Sequence, residues 1–474
     1  MSQITILWFR RDLRLDDNPA LQTALATSQR LIPVYIHAPE EAAPWSPGAA
    51  SRWWLHHSLL ALDQALRERG SRLWLARGES LATLRQLIAQ TGATQVLWNR
   101  RYEPALSARD TAIKQALRAD GLHCASTNAA LLFEPWEIRN GSGLPYRVFS
   151  AFWRTCVKEL YRQLPAPAPA TLPPLGELSA GCDLAELALL PRHNWDHGLR
   201  ETWTPGEAGA MQQAMTFLAQ DLTSYATQRD VPGNVGTSRL SAALHFGDIS
   251  PRRLLALVLA HGGEPTTDPW VRELGWREFA YHLLYHFPHT TTQPLDQRFA
   301  ALPWRSAPEQ LAAWQRGQTG IPLVDAGMRE LWHTGWMHNR VRMVVASLLT
   351  KNLLLPWQLG AQWFWDTLVD ADLAVNTASW QWTAGCGADA APYFRVFNPV
   401  LQGERFDPAG VYVRRWCPEL ARLPDRVVHQ PWAASAAILT AAGVRLGVNY
   451  PQPLVDLAAS RREALAAWEM VKTA

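Results

Sequence analysis

ITILWFRRDLRLDDNPALQTALATSQRLIPVYIH, residues 4–37, decides the fold. It opens on a strand-length apolar run, ITILWFR, and closes on another, LIPVYIH, while residues 17–27 between them carry the spacing of an amphipathic helix. Asn18-Pro19 marks where that helix begins, because proline is tolerated in a first turn whose N–H groups are unbonded anyway. The order is strand, helix, strand. It then repeats: SRLWLA and TQVLWN read as strands, and residues 51–69, 80–90 and 104–119 as helices, with Glu103-Pro104 and Gly70 as start and stop signals. The expectation is an α/β domain with a doubly wound, Rossmann-like parallel sheet of roughly five strands. Such sheets bind planar ligands at the carboxyl ends of their strands, but no G-x-G-x-x-G is present, so no motif specifies a ligand here.

Outward from this stretch the pattern changes twice. LPAPAPATLPPLGE, residues 164–177, reads as a linker with polyproline character. From about Gly206 the strand signature disappears, and helical periodicity covers 208–228, 252–260, 270–285, 308–315, 321–331 and 340–355. Three regions follow: an α/β domain over 1–130, an interdomain linker over 131–205 and an all-α domain over 206–474. With 474 residues, 48% of them apolar, the chain can bury two or three separate cores.

Composition excludes several classes. The five cysteines, Cys124, Cys156, Cys182, Cys386 and Cys417, show no C-x-x-C spacing, which indicates neither zinc nor a disulfide framework and fits a reducing cytoplasm. No signal peptide is expected at the N-terminus, and the longest apolar stretch, 343–359, is interrupted by Lys351, Asn352 and Pro356, so no membrane span is expected. The net charge is only +3, and basic and acidic residues balance between 225 and 420; any nucleic-acid contact must come from a local patch. The 24 tryptophans exceed what a core needs and point to indoles used for stacking or for carrying electrons.

Four constellations in the helical part carry chemistry. Tyr225, Arg229 and GTSRLSAAL (236–244) set Thr237 and Ser238 where they could open a helix, either as a simple N-cap or as an anion pocket for a phosphate. WVRELGWREF (270–279) places Trp270, Glu273, Trp276 and Arg277 on roughly one helix face, too polar for a core and too aromatic for ordinary surface. Asn339, Arg340 and Arg342 could meet Asp370 and Asp372, as a structural ion pair or as one that tunes a bound ring. Trp304, Trp357, Trp380 and Trp382, with Trp363 and Trp365, form the last set; spacing does not separate core from cofactor partner.

These motifs, from ILWFRRDLRLDDNPAL through PYRVFSAFWR, GTSRLS, WREF, TGWMHNRVRM, DADLAVNTASWQW and DAAPYFRVFNP to YPQPLVD, resemble the photolyase/cryptochrome family along essentially the whole chain. ELGWREFAYHLLYHFP and WQWTAGCGADAAPYF are most similar to its class III bacterial branch, which acts on cyclobutane pyrimidine dimers. The resemblance implies light-driven repair of a flipped-out dimer by electron transfer from reduced FAD, active as the anionic hydroquinone. It implies FAD contacts at Tyr225, Thr237, Ser238, Arg239, Leu240, Ser241, Trp270, Arg342, Asp370, Asp372 and Asn376, with Asn376 facing flavin N5. Trp380, Trp357 and Trp304 match the chain of indoles that carries electrons from the surface, which Trp363 or Trp365 would branch. Glu273, Trp276, Asn339, Met343 and Trp382 match the dimer pocket, and Arg229, Arg277, Arg395 and Gln402 match contacts to UV-damaged DNA.

Within the family, Asn339 and Met343 stand where enzymes for the (6-4) photoproduct typically place other residues, often histidine, which favours the cyclobutane dimer. In RYEPALSARD (101–110) Ala105 and Leu106 replace an Asn-Glu pair that holds folate in some class I enzymes, so an antenna, with methenyltetrahydrofolate expected ahead of deazaflavin, would be held differently. The alternatives are a cryptochrome, whose plant-type members usually carry Asp at the position of Asn376, and an ordinary flavin oxidoreductase, for which no nicotinamide site is seen. A monomer without metal is expected.

Overall fold

The computed structural model describes residues 3–160, 164–179, 181–264, 267–393 and 395–472. One fully parallel sheet holds β1 (Ile4–Phe9), β2 (Arg30–His37), β3 (Trp74–Arg77), β4 (Gln95–Asn99) and β5 (His123–Thr127) in the order β3-β2-β1-β4-β5. Between them run α1 (Pro19–Thr27), α2 (Ala49–Arg67), α3 (Ser80–Thr91) and α4 (Pro104–Ala119). β1 and β4 are buried along their whole length, which is why they read as continuous apolar runs rather than alternating ones. β5, sequence HCAST, is a polar edge strand with only Cys124 buried, and apolar patterning did not reveal it. The sheet reverses direction of growth between β1 and β4, and the chain leaving β1 carries the RRDLRLDDNP motif.

That motif does two jobs. Asn99, at the end of β4, donates to Asp12 Oδ2 at 2.6 Å and to Asn18 Oδ1 at 2.7 Å, and Asn18 Oδ1 also caps α1 by accepting from Leu21 N at 3.1 Å. The buried Arg14 guanidinium then donates to the carbonyls of Asp17, Ala129 and Gly247 at 2.8, 2.8 and 2.9 Å, which ties the strand ends to the helical half. Asp17 pairs with Arg252 at 3.0 Å and Asp16 with Arg253 at 2.7 Å, while Glu207 accepts from Leu15 N and Asp16 N at 2.8 and 3.0 Å. A Cβ at Gly247, where φ is +70°, would run into the backbone of Arg11 and Asp12.

The remaining helices are α5 (Phe149–Cys156), α6 (His197–Thr202), α7 (Glu207–Gln220), α8 (Tyr225–Gln228), α9 (Ser241–Phe246), α10 (Pro251–Ala260), α11 (Pro269–His286), α12 (Pro308–Gln315), α13 (Pro322–Thr334) and α14 (Asn339–Ser347). After a π turn at Leu348–Asn352 come α15 (Trp357–Thr367), α16 (Leu373–Ala384), α17 (Pro399–Phe406), α18 (Val411–Trp416), α19 (Asp425–Val428), α20 (Ala436–Ala442) and α21 (Leu457–Lys472). Two expected helices differ: 208–228 splits into α7 and α8, and 340–355 ends in the π turn, with Leu354 in the left-handed region at φ +51°. The proline-rich 164–177 stretch is a strap rather than a free spacer. Its carbonyls have no internal partners in a polyproline conformation, so Ala166 O accepts from Asp17 N at 2.8 Å and Pro174 O from Leu31 N at 3.3 Å. Among the described residues no helix is long and apolar enough to cross a membrane, no cluster of three His, Cys, Asp or Glu could hold a metal ion, and all five cysteines are free.

One buried carboxyl makes the seam sensitive to pH. Asp248 Oδ2 accepts from Trp54 Nε1 and Ser58 Oγ on α2, at 2.8 and 3.0 Å, and from Gly206 N at 3.2 Å, while Oδ1 has no partner. Burial pushes its pKa up to about 7, and the three donors only partly pull it back. A carboxyl raised in the fold contributes stability below its ordinary value near 4 and loses it as pH rises through about 7. Relative to Asp248→Asn, the native holoprotein should therefore lose of order a few kcal/mol between pH 5 and pH 8. Denaturant titrations of both proteins across that range measure the difference.

Candidate flavin and substrate site

The centre of the helical half is built on two acids at the start of α16. Asp370 receives a two-pronged contact from Arg342, Nη2 to Oδ2 at 2.9 Å and Nη1 to Oδ1 at 3.2 Å, and Ser241 Oγ donates to the same Oδ2 at 2.6 Å. Arg342 Nε is spent on Met337 O at 2.7 Å, so the guanidinium cannot swing away. Asp372 caps α16 by accepting from Val375 N at 3.1 Å, and its other oxygen takes Tyr281 OH and faces His245 Nδ1 at 3.3 Å. Burial pushes Asp372 up, but the His245 and Tyr281 bonds and the Arg277 charge outweigh it and hold the carboxyl below the usual range. One turn on, Asn376 donates its amide N–H to Ala361 O at 3.0 Å, which leaves its carbonyl oxygen as an acceptor on the opposite side.

The expected phosphate loop takes a different form. The helix begins at Ser241, not at Thr237, and Thr237–Leu240 make a turn in which Arg239 sits at φ +51°, a conformation uncommon outside glycine. Arg239 is held there by stacking over Trp336 at 4.6 Å, and Ser238 O by Gln213 Nε2 at 3.1 Å. Tyr225 and Trp270 are buried together around Phe217, with ring centroids 5.8 and 5.6 Å away. An ionised pair, a row of hydroxyls and a free acceptor at Asn376 are the donor set that a flavin ring and its diphosphate require, so the residues present fit FAD.

The residues of α11 do not share one face. Glu273 pairs with Arg229 at 2.8 Å, so the expected dimer contact and the expected DNA contact bind each other. Burial raises the Glu273 carboxyl and Arg229 draws it partly back. Next along this rim, Asp230 pairs with Arg340 at 2.7 Å, beside the exposed Asn339. Trp276 and Trp382 are half-buried, as is Met343, which keeps all three accessible to a ligand. Arg277, expected at the DNA, has a side chain only 10% exposed that donates to Ala130 O at 2.7 Å and lies over Tyr281. Its guanidinium is drawn inward because Ala130 O, the Tyr281 ring and the field of Asp372 all lie on that side. Arg395 is exposed and Gln402 half-buried, with no partner for Gln402 Oε1.

Trp380 and Trp357 are buried and Trp304 is half-buried. Arg305 N donates to Leu354 O at 2.7 Å, which ties the Trp304 segment to the turn ahead of Trp357. Trp363 instead stacks on exposed Trp332, and Trp365 donates Nε1 to Ser46 O at 2.7 Å across the seam. Sequence reading overlooked Phe149, which supports Trp276 face to face at 3.8 Å, and Phe364 and Trp314, which meet Trp380 at 5.0 and 6.3 Å. It also overlooked Tyr281, although REFAY lay inside a motif already noted, and His245, one residue past GTSRLSAAL.

Comparison with known proteins agrees with this geometry. Residues 5–170 match the model of DNA photolyase, and residues 270–470 that of the FAD binding domain of DNA photolyase. The chain is 46% identical over 471 residues to a deoxyribodipyrimidine photo-lyase of Agrobacterium fabrum, covering 98% of each. The chain belongs to the photolyase/cryptochrome family. Its fold superposes on a crystal structure of a bacterial class III photolyase from Agrobacterium tumefaciens with a TM-score of 0.96 at 46% identity, covering 100% of this chain and 98% of the other. It is also 41% identical to cryptochrome-2 of Arabidopsis thaliana, over 97% of this chain and 78% of that one. As in the rest of the family, the cofactor is FAD.

A second cleft opens at the switch between β1 and β4. It has a volume of about 250 Å³, and its lining includes Trp8, Arg11, Tyr35, Trp45, Arg109 and Trp365, with Ala105 and Leu106. Arg11 Nη1 meets His245 Nδ1 at 3.2 Å, so this cleft is one side chain away from Asp372.

Removing the Arg342 guanidinium would strand the Asp370 carboxylate in a buried position. Arg342→Ala should destabilise the protein by about 3–5 kcal/mol and release FAD. Flavin absorbance per mole of protein after gel filtration, with a melting curve, checks both.

Proposed function

We propose that this protein is a deoxyribodipyrimidine photo-lyase that repairs cyclobutane pyrimidine dimers in UV-damaged DNA under blue light, working in the cytoplasm beside the nucleoid. The observation that carries the reading is the rim from Glu273 through Arg229 and Asp230 to Arg340, a row of charges beside half-buried indoles at the mouth of an FAD site. A dimer inside a duplex reaches no buried site, so it must be flipped out, at a cost lowest for a damaged, poorly stacked pair; photolyases are a standing example of this behaviour.

Each residue then has a defined task. Trp276, braced by Phe149, and Trp382 receive the fused pyrimidines by apolar contact and exclude water. Glu273 bonds the polar edge of a pyrimidine once DNA phosphate draws Arg229 away. Asn339 and Met343 complete the pocket, and their identity supports the cyclobutane dimer over the (6-4) product. Arg229, Arg395 and Gln402 hold the strand beside the lesion, so affinity falls with salt. Reduced FAD supplies a light-excited electron that opens the cyclobutane ring and takes it back, which leaves the reaction redox-neutral. Arg342, Asp370 and Asp372 fix its position and charge, and Asn376 presents a carbonyl acceptor suited to a reduced ring that carries N–H. Trp304, Trp357 and Trp380 bring electrons inward to prepare the cofactor and take no part in ring opening.

The cleft at the β1/β4 switch suits an antenna. Its indole and phenol walls and its arginines match a planar ring with anionic substituents, and methenyltetrahydrofolate is the expected occupant ahead of deazaflavin. A blue-light photoreceptor is the second reading, which the likeness to a plant cryptochrome favours.

The separation of roles gives the test. With prereduced enzyme, Glu273→Ala should repair dimers roughly tenfold less well while keeping FAD, the effect of one charge-assisted hydrogen bond. Trp380→Phe should lose photoreduction but repair at the native rate once reduced chemically. Equal loss of repair in prereduced Trp380→Phe would contradict the assignment.

A further inference from the structure

The segment between α16 and α17 carries Arg395 and leads into Gln402, and its placement depends on a buried residue that the repair reaction does not use. Lys351 lies in the π turn Leu348–Asn352 with no solvent exposure. Its ammonium donates to Arg395 O at 2.8 Å and lies 5.4 Å from the centre of the Tyr393 ring. Four residues earlier, at the end of α14, Ser347 Oγ accepts from Phe397 N at 3.2 Å. The two side chains therefore grip the loop on both sides of Val396. A π turn carries one residue more per turn than an α-helix, and such turns gather at functional positions. Just past the grip, Asn398 caps α17 by accepting from Val400 N at 3.0 Å, which passes the constraint on to Gln402.

We propose that Lys351 is a positioning residue that, with Ser347, clamps the 395–397 segment in the shape that lets Arg395 and Gln402 grip DNA. The inference rests on the reading of those two residues as DNA contacts. Among the described residues no carboxylate pairs with Lys351: the facing groups are Arg395, which repels it, Cys386, whose thiol is pushed up to about 12 by burial, and Tyr393, whose hydroxyl is pushed up by burial too. On the other side α21 offers Ser460, which is already bonded to Asn352. A buried ammonium with one carbonyl and one ring for company holds its proton weakly, and burial lowers Lys351 to about 7. The clamp is closed when Lys351 is charged, so it loosens as pH rises through that value.

Lys351→Met removes the charge at nearly constant volume, a change that cores commonly tolerate. Holoenzyme carrying it should keep its FAD and its repair yield at saturating DNA, but bind an oligonucleotide with one cyclobutane dimer roughly tenfold more weakly at pH 6. Native affinity should step down between pH 6 and pH 8, and the variant should lack that step. Amide exchange at Phe397 should speed up in Lys351→Met and, by less, in Ser347→Ala. Native affinity and native exchange in Lys351→Met, or a pH step that survives the substitution, would overturn the clamp. Arg395→Ala tests the underlying reading separately: it should weaken binding while leaving Phe397 exchange unchanged, and native binding in Arg395→Ala would remove the DNA role even with the clamp intact.

Discussion

The ionised Asp372 carboxylate is the constraint on which the site depends. It is buried, yet it is met by Tyr281 from α11 and His245 from α9 and caps α16, so three helices share one charge. Losing one of these partners would leave the buried carboxylate short of a hydrogen bond, a larger cost than the value of the bond itself. Because the cap fixes the start of α16, it also fixes Asn376 and Trp380 one and two turns further on. His245 Nδ1 faces Asp372 on one side and Arg11 on the other, and Arg11 follows directly from β1. That one nitrogen can donate to Asp372 or accept from Arg11 but not both, so the imidazole sits between the sheet and the flavin helix and bonds one of them at a time.

The same economy appears at the seam. Residues 10–18 close the ends of β1 and β4, start α1 and bind α9, α10 and α7, through buried Asp12, Arg14, Asp17 and Asn18 and through backbone N–H groups that meet Glu207. Buried charge contributes little net stability but penalises every alternative arrangement that leaves it unpaired. A rigid seam of this kind holds the cleft at the β1/β4 switch and the flavin site at a fixed separation.

Much of this was legible in the sequence, and the exceptions share a cause. The βαβ order was readable because β1, β2 and β4 each carry a run of apolar residues, and the helices of the second half because their periodicity is local. The Arg342–Asp370 pair was visible as a motif whose structural or functional meaning stayed open, since spacing gives proximity and not what lies beside it. What the sequence left unread was decided at long range. Arg277 looks like its neighbours on a helical wheel, but Ala130 draws it to the seam. Phe149 reads as core until it is found under Trp276. β5 has the composition of a loop and is a strand only because β4 offers it an edge. The polyproline strap has the composition of a spacer and is held by carbonyls that composition does not show.

The central claim is that this arrangement repairs DNA with light. The most direct measurement is the loss of cyclobutane dimers from a UV-irradiated oligonucleotide incubated with chemically reduced protein, under blue light and in darkness. Light-dependent restoration of the pyrimidines, with none in the dark, is the predicted result. A reduced, flavin-loaded protein that binds the lesion and leaves it intact under blue light would contradict the account and place the chain among the photoreceptors of its family.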